Sequence, residues 1–388
     1  MDARGTSEVA IVGGGVLGSA IAFWLARAGV GVRLFEAGAA GAEGANRHTG
    51  GMLRSLDFDP VLMRLSMAGT ALMNDWAGCG LPGPSPVTAA PLWWLVDDAA
   101  ADHFEALCRE HPPLGRLVHR VRTARAAPAV LRGAAAPWAL HDPSGGVTDA
   151  RLAVRQLLHD AVRHGAEVFE HCPVAIAPAD EGAPGTLQLS SATGLPVAAG
   201  WTVLATGAAV SAQQLGAGGG WERRSVPQVQ LCGLPAGLPC VIDQPSGTYL
   251  RPLGPGRACL GWPGRLLAAG PPPPPDEAEA GRRIEAMCRS LGLQAMPQAV
   301  GHLVGTDAYT ADGRPRVEWR EAARTCLATG LSGRGFKYGL LLGAAIAQAL
   351  CRRLGRGHRS ALPAACAEVD GLLHPASPVV PEPEPATA

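Results

Sequence analysis

The stretch VAIVGGGVLGSAIAFWLARAGVGVRLFEA, residues 9–37, contains every part of one β-α-β unit. Residues 7–12 form a short apolar run that ends at three glycines, which predicts a strand. Residues 16–28 have apolar side chains at helical spacing, and Gly29 follows as the predicted helix C-cap. Residues 30–35 are a second apolar run. This order predicts two parallel strands joined by a crossover helix.

The glycines between the first strand and the helix fit the spacing G-x-G-x-x-G of a dinucleotide cradle. Gly13 permits a tight turn, Gly15 lets the backbone approach a pyrophosphate, and Gly18 lets the helix pack closely on the sheet. Glu36 follows the second strand, where a carboxylate accepts hydrogen bonds from a ribose diol and disfavours the 2′-phosphate of NADP. A glycine-rich turn that binds nothing is the weaker alternative, because the strand, the helix and the acid are all in place.

The composition argues against several classes of protein. The chain has 33 acidic and 33 basic residues, so no net field favours a nucleic acid or an anionic membrane as partner. No window of 18 or more uncharged apolar residues predicts a membrane span, and the polar N-terminus does not resemble a secretion signal. The ten cysteines form no C-x-x-C or metal-ligand spacing. We therefore expect a cytoplasmic protein with reduced thiols and no metal site.

Further elements are predicted along the chain from the spacing of apolar residues and from turn signals. The predicted helices are 57–77, 102–110, 147–164 with Thr148 as a candidate N-cap, and 276–291. The predicted strands are 93–96, 201–208, several within 226–262, and 326–329. The Pro-rich tail from 372 is expected to be disordered.

Three motifs together resemble one known family. Residues 9–37 are similar to the opening of the glutathione-reductase-type FAD proteins, and GWTVLATGA, residues 200–208, is similar to their second glycine motif. LSGRGFKYG, residues 331–339, precedes an apolar helix and resembles the D-amino-acid oxidase and sarcosine oxidase-like (DAO) family of FAD-dependent amine oxidoreductases. The resemblance covers roughly residues 8–355. Its motifs are specific at both ends of this range and much less specific between them.

The resemblance implies an α/β fold with two domains built from segments that are distant in sequence. The first is a glutathione-reductase-type, Rossmann-like FAD-binding domain. The second is an inserted α+β substrate domain on an antiparallel sheet. The expected segments are 1–84, 146–218 and 304–371 for the FAD-binding domain, 85–145 and 219–303 for the substrate domain, and 372–388 for the disordered tail.

LSGRGFKYG contains Lys337, the only lysine of a chain whose other basic residues are arginines. A reduced flavin gathers negative charge over N1 and the C2 carbonyl oxygen. A helix N-terminus after a glycine turn with free N–H groups stabilises that charge. The resemblance implies that Lys337 lies at the flavin edge and pairs with the substrate carboxylate, where a compact ammonium differs from a forked guanidinium. A solvent-exposed lysine at a helix start is the alternative.

The second site motif is NRHTGGMLR, residues 46–54. In this family the segment after the second strand wraps the flavin, and a nearby arginine binds the substrate carboxylate. Arg54 stands at that place and would form a two-cation clamp with Lys337, unless it is a surface arginine. His48 is comparable to a histidine that sarcosine and dimethylglycine dehydrogenases bond covalently to the flavin. We favour a noncovalent place for His48 beside the flavin ring over a covalent link or a structural role.

Two positions depart from monomeric sarcosine oxidase. That enzyme attaches its flavin to a cysteine, and Gly305 stands at the corresponding place in VGTDAYTADGRPRV, residues 304–317. Attachment through a cysteine is therefore not expected. Cys259 stands where that enzyme has a lysine that helps O2 react. Fast oxidase activity is therefore in doubt, and the electron acceptor is O2 or another acceptor.

The motifs give a set of expected site residues. Arg54, Lys337 and His48 are the expected catalytic residues, and Tyr249 joins Arg54 and Lys337 as expected substrate contacts. Other candidates to line the pocket are Trp93, Trp94, Arg251 and Trp262. The expected cofactor contacts are Gly13, Gly14, Gly15, Val16, Leu17, Gly18, Glu36, Ala37, Arg47, His48, Thr49, Gly50, Gly51, Met52, Val174, Ala205, Thr206, Gly207, Ser332, Gly333, Arg334, Gly335, Phe336 and Lys337.

The predicted function is FAD-dependent oxidation of the C–N bond of a small carboxylated amine to an imine. The substrate would be an amino acid, an N-alkyl amino acid or a cyclic imino acid. A hydride passes from the α-carbon of the neutral amine to flavin N5, so the protein must hold these atoms about 3–3.5 Å apart. The alternatives are a flavoprotein subunit that passes electrons to a quinone or a protein partner, and a non-redox nucleotide-binding module.

Overall fold

The computed structural model describes residues 7–48, 51–81, 83–125, 128–178, 187–191, 199–209, 220–268, 270, 272–356 and 369. The α-helices in this part of the chain are α1 (Val16–Arg27), α2 (Gly44–His48), α3 (Pro60–Asn74), α4 (Asp98–Glu110), α5 (Pro112–Leu117), α6 (Ala150–Arg163), α7 (Glu277–Leu291) and α8 (Gly335–Arg353). Short 3₁₀ helices span Thr123–Arg125 and Ala129–Leu131. The predicted tail at 372–388 lies outside the described residues.

The strands of the described residues form four sheets. They are β1 (Ser7–Val12), β2 (Val32–Phe35), β3 (Met52–Leu53), β4 (Val87–Ala89), β5 (Leu92–Val96), β6 (His119–Arg122), β7 (Trp138–Asp142), β8 (Gly146–Thr148), β9 (Glu167–Phe169), β10 (Val174–Pro178), β11 (Leu187–Ser191), β12 (Ala199–Leu204), β13 (Glu222–Cys232), β14 (Cys240–Asp243), β15 (Thr248–Gly254), β16 (Arg257–Gly261), β17 (Gln298–Tyr309), β18 (Arg316–Arg320) and β19 (Thr325–Thr329).

β1 lies inside a six-stranded sheet with the order β18-β19-β12-β1-β2-β9. Neighbouring strands of this sheet are parallel, except β18 and β19, which are antiparallel. The predicted β-α-β unit is confirmed, because β1 and β2 pair in parallel and α1 connects them. Ligands of open parallel sheets bind at the carboxyl ends of the strands, so the ends of β1 and β12 are the expected place for a site.

α8 is buried along almost its whole length and packs against α1 and α3. Glycines make the close approach of α1 possible. A Cβ added to Gly343 would lie 2.6 Å from the Cβ of Ala20, and one added to Gly339 would lie 2.9 Å from a methyl group of Val16. The two helices therefore start beside each other, next to the ends of β1 and β12.

The second large sheet has eight strands in the order β17-β13-β16-β15-β14-β5-β7-β6. Its neighbouring strands are antiparallel except β14 and β5, so this pair departs from the antiparallel sheet that the resemblance implies. The sheet combines strands from 85–145 with strands from 219–303. β17 continues to Tyr309 and pairs with β13 throughout, so the expected boundary at 303/304 falls inside a strand. The smaller sheets are β10-β11 and β3-β8-β4.

α3 starts later than the sequence predicts. Asp59 is its N-cap and accepts hydrogen bonds from the N–H groups of Val61 and Leu62, while Pro60 takes the first helical position. These two features fix the start of the helix, which spans Pro60–Asn74 rather than 57–77. Residues 57 and 58 are thereby left outside the helix.

Two predicted caps are wrong by one residue. The N-cap of α6 is Asp149, whose Oδ1 accepts from the N–H of Leu152 at 2.9 Å, whereas Thr148 belongs to β8. The C-cap of α1 is Ala28, and Gly29 follows it with a φ of 75°. A left-handed glycine one position after the C-cap commonly ends a helix. Gly29 therefore does mark the end of α1, although it is not the cap residue itself.

Candidate functional site

A cavity of about 900 Å³ lies at the carboxyl ends of β1 and β12, beside the start of α8 and the strands β13, β15 and β17. Most of the expected site residues line it. They are Gly13, Gly15, Val16, Leu17, Glu36, Ala37, His48, Gly51, Met52, Arg54, Val174, Ala205, Thr206, Gly207, Tyr249, Ser332, Gly333, Arg334, Gly335, Phe336 and Lys337. Thr49 and Gly50 lie outside the described residues.

Gly14 and Gly18 do not line the cavity but shape its glycine cradle. Glu36 accepts hydrogen bonds from the N–H of Gly14 at 2.6 Å and from the N–H of Gly38 at 2.9 Å. A Cβ added to Gly18 would collide with the carbonyl oxygen of Gly13, whose φ is 109°. These contacts hold the turn tight against α1. An added Cβ on Gly15 would meet only Asn46 at 3.9 Å, so the backbone there is open to a ligand.

α2 brings two expected residues to different places. His48 lines the cavity, whereas Arg47 does not. The side chain of Arg47 is 56% exposed and pairs with Glu43 at 3.8 Å. The neighbouring Asn46 lines the cavity as well, although the sequence did not single it out. The expected contact of Arg47 with a cofactor is therefore not supported by its position.

His48 is held by its backbone, and its ring faces a glycine. Its carbonyl accepts a hydrogen bond from Nε2 of Gln228. A Cβ added to Gly305 would lie 2.8 Å from the Cβ of His48. A cysteine at 305 would therefore collide with His48. Burial, and then the charge of Arg47, lowers the pKa of His48, which favours the neutral imidazole.

Four charged side chains meet at one end of the cavity wall. Asp57, which is buried, accepts a hydrogen bond from Nε of Arg334 at 3.0 Å and lies 3.6 Å from Nη2 of Arg54. Lys337 is only 1% exposed, so the alternative of a solvent-exposed lysine is wrong. Its Nζ has no hydrogen-bond partner among the described residues. The side chain of Arg54 is 14% exposed, so Arg54 is not a surface arginine.

The packing of α3 fixes the positions of both cavity cations. A Cβ added to Gly69 would overlap the carbonyl oxygen of Lys337, so the glycine lets α3 lie directly against the start of α8. Thr70, the next residue, donates a hydrogen bond to the carbonyl of Arg54 at 2.9 Å. The guanidinium of Arg54 lies 5.1 Å from the ring centre of Trp94. One turn of α3 therefore contacts the backbones of both cations.

The charges in this cluster are unevenly compensated. Burial, and then the charge of Arg54, holds the pKa of Lys337 well below its ordinary value. Burial alone would raise the pKa of Asp57, but the charges of Lys337, Arg54 and Arg334 outweigh it and lower that pKa. The charge of Asp142 raises the pKa of both Lys337 and Arg54, but it is the smallest of the effects on each. Asp57 is therefore ionised, and an added anion near Lys337 would be stabilised.

The turn before α8 was expected to supply free N–H groups, but those of Ser332 and Gly333 are bonded. The N–H of Ser332 donates to the carbonyl of Ala308 at 3.0 Å, and the N–H of Gly333 donates to Oδ2 of Asp307 at 2.9 Å. Ser332 has a φ of 50°, and these contacts to β17 hold it in that strained conformation. The first two residues of α8, Gly335–Phe336, have no backbone acceptor for their N–H groups among the described residues. They are the amides that a ligand can reach.

A family model described as FAD dependent oxidoreductase (DAO) matches residues 8–349. The chain belongs to this family. Its membership confirms the resemblance read from the sequence, and it confirms an FAD-dependent oxidoreductase with FAD as the cofactor. A non-redox nucleotide-binding module is accordingly disfavoured.

Solved structures of similar fold cover nearly the whole chain. L-proline dehydrogenase from P. horikoshii is 20% identical with a TM-score of 0.76, covering 92% of this chain and 95% of its own. Glycine oxidase from Geobacillus kaustophilus is 23% identical with a TM-score of 0.71, covering 92% and 97%. Iminodiacetate oxidase from Chelativorans sp. BNC1 is 21% identical with a TM-score of 0.68, covering 91% and 97%. A search of the curated proteins found no match.

The cavity of this DAO family member fits FAD. A volume of about 900 Å³ lies near the upper end of the range for ligand sites. Buried polar atoms without a partner are costly, so unpaired ones in a cavity wall indicate a polar ligand. Those in this wall without a partner among the described residues are Asn46 Nδ2, His48 Nδ1, Arg54 Nε, Trp94 Nε1, Arg223 Nε, Asp243 Oδ2, Trp262 Nε1 and Lys337 Nζ.

The candidates expected to line the substrate pocket divide into two groups. Trp94, Tyr249 and Trp262 line the cavity, whereas Trp93 and Arg251 do not. Trp93 is buried in the core and stacks on a histidine ring of β7. The hydroxyl of Tyr249 accepts a hydrogen bond from Gln228, 3.1 Å away, and burial raises its pKa. Tyr249 is therefore a neutral phenol.

Cys259 is 2% exposed and does not line the cavity. Its Sγ donates to Oε1 of Gln228 at 3.2 Å, and burial raises its pKa. Cys259 therefore orients the glutamine that contacts His48 and Tyr249. It supplies no charge at this position.

Sequence reasoning did not select several polar residues of the cavity region, among them Asn46, Asp57, Gln228 and Asp307. Asp57 does have a local signal, since it follows Arg54 by three residues and pairs with it. Gln228 lies on β13, where no motif marks it, and Asp307 lies on β17, inside the stretch 304–317 that was considered only for Gly305. Their positions follow from strand register, which the sequence alone does not supply.

No helix among the described residues is long and apolar enough to cross a membrane.

Proposed function

We propose that this protein oxidises the C–N bond of a small carboxylated amine to an imine, with FAD as the acceptor of the hydride. The substrate is an amino acid, an N-alkyl amino acid or a cyclic imino acid. The structurally similar enzymes are named for L-proline, glycine and iminodiacetate, each of which has a carboxylate near its amine. They support the substrate class through fold similarity alone.

The unpaired Nζ of Lys337 is the observation that carries the proposal. Burial and the charge of Arg54 hold the pKa of Lys337 well below its ordinary value, and a bound anion would stabilise the ammonium form. Lys337 lies in the wall of the cavity that also contains the glycine cradle. Arg54 faces the same cavity and has a partner, Asp57, for only part of its guanidinium. A substrate carboxylate would complete the hydrogen bonds of both cations.

We assign different parts of the ligands to residues at the two ends of the cavity. We assign the adenosine diphosphate part of FAD to Gly13, Gly15 and Glu36. We assign the flavin ring to the space beside His48 and the start of α8. The free N–H groups there would stabilise the negative charge that a bound flavin gathers as it takes up a hydride. Lys337 and Arg54 orient the substrate, and the cavity walls exclude water from it.

A dehydrogenase that passes electrons to a quinone or a protein partner is the second candidate. It is favoured by the burial of Cys259, because no cation stands at the position where monomeric sarcosine oxidase has its lysine. Reduction by substrate is common to both candidates. They differ in the rate at which O2, rather than a dye or a quinone, restores the oxidised state.

We also infer that the two large sheets belong to two domains of a glutathione-reductase-type protein with an inserted substrate domain. The parallel sheet would be the core of the FAD-binding domain, and the eight-stranded sheet the core of the inserted one. β14 and β5 pair across the two inserted segments, which supports one inserted domain. The boundary near 303/304 would then move to the end of β17 at Tyr309.

An anaerobic titration of the purified protein tests the function. The protein is loaded with FAD and titrated with a panel of amino, N-methylamino and cyclic imino acids. We expect at least one of these acids to bleach the absorbance near ~450 nm that an oxidised flavin supplies. If all of them leave the spectrum unchanged while dithionite bleaches it, the proposed substrate class is wrong.

A further inference from the structure

Asp307 is a carboxylate in the cavity wall that the proposed function does not use. It is half-buried on β17 and lines the cavity. Its Oδ1 accepts the N–H of Ala308 at 2.8 Å, and its Oδ2 accepts the N–H of Gly333 at 2.9 Å. Both partners are neutral backbone groups, so the negative charge has no cation bonded to it. Burial raises the pKa of Asp307 to about 6.

The cation opposite Asp307 in the neighbouring strand is bonded to another residue. This cation is Arg224 on β13, whose backbone lies opposite that of Asp307 in the antiparallel pair with β17. Its guanidinium donates two hydrogen bonds to Glu222, at 3.0 and 3.3 Å, and lies 5.6 Å from the ring centre of Tyr309. Tyr309, two residues along β17, is protonated because burial raises its pKa to about 12. Arg223, which precedes Arg224 and also lines the cavity, donates to the carbonyls of Ala268 at 3.0 Å and Gly270 at 2.7 Å. None of these side chains forms an ion pair with Asp307.

Cations on the other elements against β17 are engaged as well. Arg334, in the turn before α8, donates to Asp57 at 3.0 Å. From α2, Arg47 pairs with a glutamate beside its own helix, and the pKa of His48 is lowered by burial. Asp307 is thus a half-buried carboxylate without a counter-ion among the described residues, and it lines the cavity.

Asp307 and the cation cluster are attached to the same turn. Asp307 accepts from the N–H of Gly333, and the next residue, Arg334, donates to Asp57. Asp57 in turn lies 3.6 Å from Arg54. Asp307, Arg54 and Lys337 line the same cavity, and Asp307 and the Arg334–Asp57 pair are joined through one turn. A small zwitterion carries the complementary pair of charges.

We propose that the Asp307 carboxylate binds the amino group of the substrate and accepts a proton from it, a role that rests on the proposed function. The substrate binds as a zwitterion, with its carboxylate at Arg54 and Lys337 and its ammonium at Asp307. In the proton transfer an N–H bond breaks and an O–H bond forms on Asp307. The electron pair of the broken bond stays on nitrogen and makes the amine neutral, as hydride loss from the α-carbon requires.

The environment of Asp307 suits this proton transfer. A general base works best when its pKa lies near the working pH, and burial moves the pKa of Asp307 in that direction. The two backbone N–H groups fix the carboxylate in one orientation. Asp307 would also select against a carboxylic acid that has no amine, because that ligand leaves a half-buried carboxylate unpaired.

The test uses two probes that cannot be oxidised. The amino acid 2-aminoisobutyrate has no hydrogen on its α-carbon, and isobutyrate has the same skeleton without the amine. Binding of each to the FAD-loaded protein is measured by calorimetry and by the shift of the flavin spectrum, for wild type, Asp307→Asn and the control Asp312→Asn. Asp312 is an exposed residue in the turn after β17.

We expect Asp307→Asn to weaken binding of 2-aminoisobutyrate by roughly tenfold or more, since charge-assisted hydrogen bonds are about twice as strong as neutral ones. Binding of isobutyrate should stay within about twofold, and Asp312→Asn should change neither. In wild type, the preference for the amino acid should disappear as the pH falls below about 6. This pH comparison tests the proposal even if Asp307→Asn does not fold.

Each other outcome is decisive. If wild type binds isobutyrate as tightly as 2-aminoisobutyrate at pH 8, or if Asp307→Asn weakens both acids equally, Asp307 does not bind the amine. The proposed function would then stand without it. If wild type binds neither acid, the carboxylate site of Arg54 and Lys337 is wrong, and the proposed function fails together with this inference.

Discussion

Asp57 connects two cations that are far apart in sequence. Arg54 precedes it by three residues and Arg334 follows it by 277, yet both contact its Oδ2. Because the carboxylate compensates part of their charge, the two arginines can lie in a buried wall. Nζ of Lys337 and Nε of Arg54 then remain without a hydrogen-bond partner among the described residues.

The sequence motifs singled out the basic residues of the cavity region but not its acidic residues Asp57 and Asp307. Lys337 and Arg54 stand in motifs that a resemblance can mark, and both line the cavity. Asp57 and Asp307 acquire their roles only through partners supplied by the folded chain, such as the N–H of Gly333. The sequence around a carboxylate does not show which distant groups will contact it in the folded chain.

Replacement of Lys337 by methionine tests the carboxylate site at the scale of one side chain. Methionine fills a similar volume and removes the buried charge, so Lys337→Met should fold and retain FAD. We expect kcat/KM to fall by roughly 10- to 100-fold, because a hydrogen bond to a charged group contributes about 1.5–3 kcal/mol. Steady-state kinetics on the amino acid that reduces the protein best would measure the change.

Arg289→Met is the matched control for this variant. Arg289 pairs with Glu285 on the exposed face of α7, and its side chain is 73% exposed. It should leave kcat/KM within about twofold, since exposed ion pairs contribute little. An unchanged kcat/KM in Lys337→Met would remove Lys337 from the substrate site.

Asp57 should make stability depend on pH in the acid range. Its pKa in the folded protein lies below the ordinary 3.8 because three cations outweigh the effect of burial. A lowered carboxyl pKa stabilises the fold above the unfolded-state pKa, and this contribution is lost as the pH falls through the folded-state value. We expect Asp57→Asn to cost about 3–5 kcal/mol at neutral pH, because it leaves buried cations uncompensated.

Urea unfolding at pH 7 and at lower pH would measure this effect. The difference between wild type and Asp57→Asn should shrink as the pH falls below about 4. Glu285→Gln removes an exposed partner instead and should change the free energy of unfolding by no more than about 0.5 kcal/mol. A constant difference between wild type and Asp57→Asn across the acid range would contradict the assigned ionisation.

At the scale of elements, periodicity predicted the helices well and their ends less well. α1, α3, α6, α7 and α8 were all expected, but α3 begins at the residue after its capping aspartate. Caps and prolines fix such ends to within one residue, whereas apolar spacing does not. α2 has only five residues and was not predicted, because a helix this short shows no period.

The contact of α3 with α8 gives a prediction about packing. In Gly69→Ala the new Cβ would overlap the carbonyl oxygen of Lys337, so α3 must move away from the start of α8. We expect a loss of about 1–3 kcal/mol in the free energy of unfolding. Activity should fall with it, because the same turn of α3 holds Arg54. Chemical denaturation and kcat/KM would report the two effects.

Gly281→Ala in α7 is the control for that variant. A Cβ added to Gly281 meets nothing within 4 Å. Alanine has the higher helix propensity, so this change should stabilise the protein by roughly 0.5–1 kcal/mol. If both variants changed stability by the same amount and sign, the close packing of Gly69 on Lys337 would be wrong.

At the scale of the whole molecule, the sequence predicted which segments form which sheet better than how the strands pair. Strands from 85–145 and from 219–303 do share one sheet. The parallel pairing of β14 with β5 and the length of β17 were not foreseen. Pairing between distant strands depends on the register of both partners, and the alternation of side chains in one strand does not specify its partner.

The molecule as a whole brings two separate segments, one after β2 and one at the start of α8, to the same cavity. The central claim is that they hold a carboxylate next to FAD. The most direct test is the anaerobic rate of flavin reduction by the best amino acid of the panel and by its carboxamide, which keeps the amine and removes the negative charge. The account predicts a rate constant at low substrate concentration at least about 100-fold smaller for the amide, since losing a charged partner typically costs about 2–5 kcal/mol. Equal rates for the acid and the amide would contradict it.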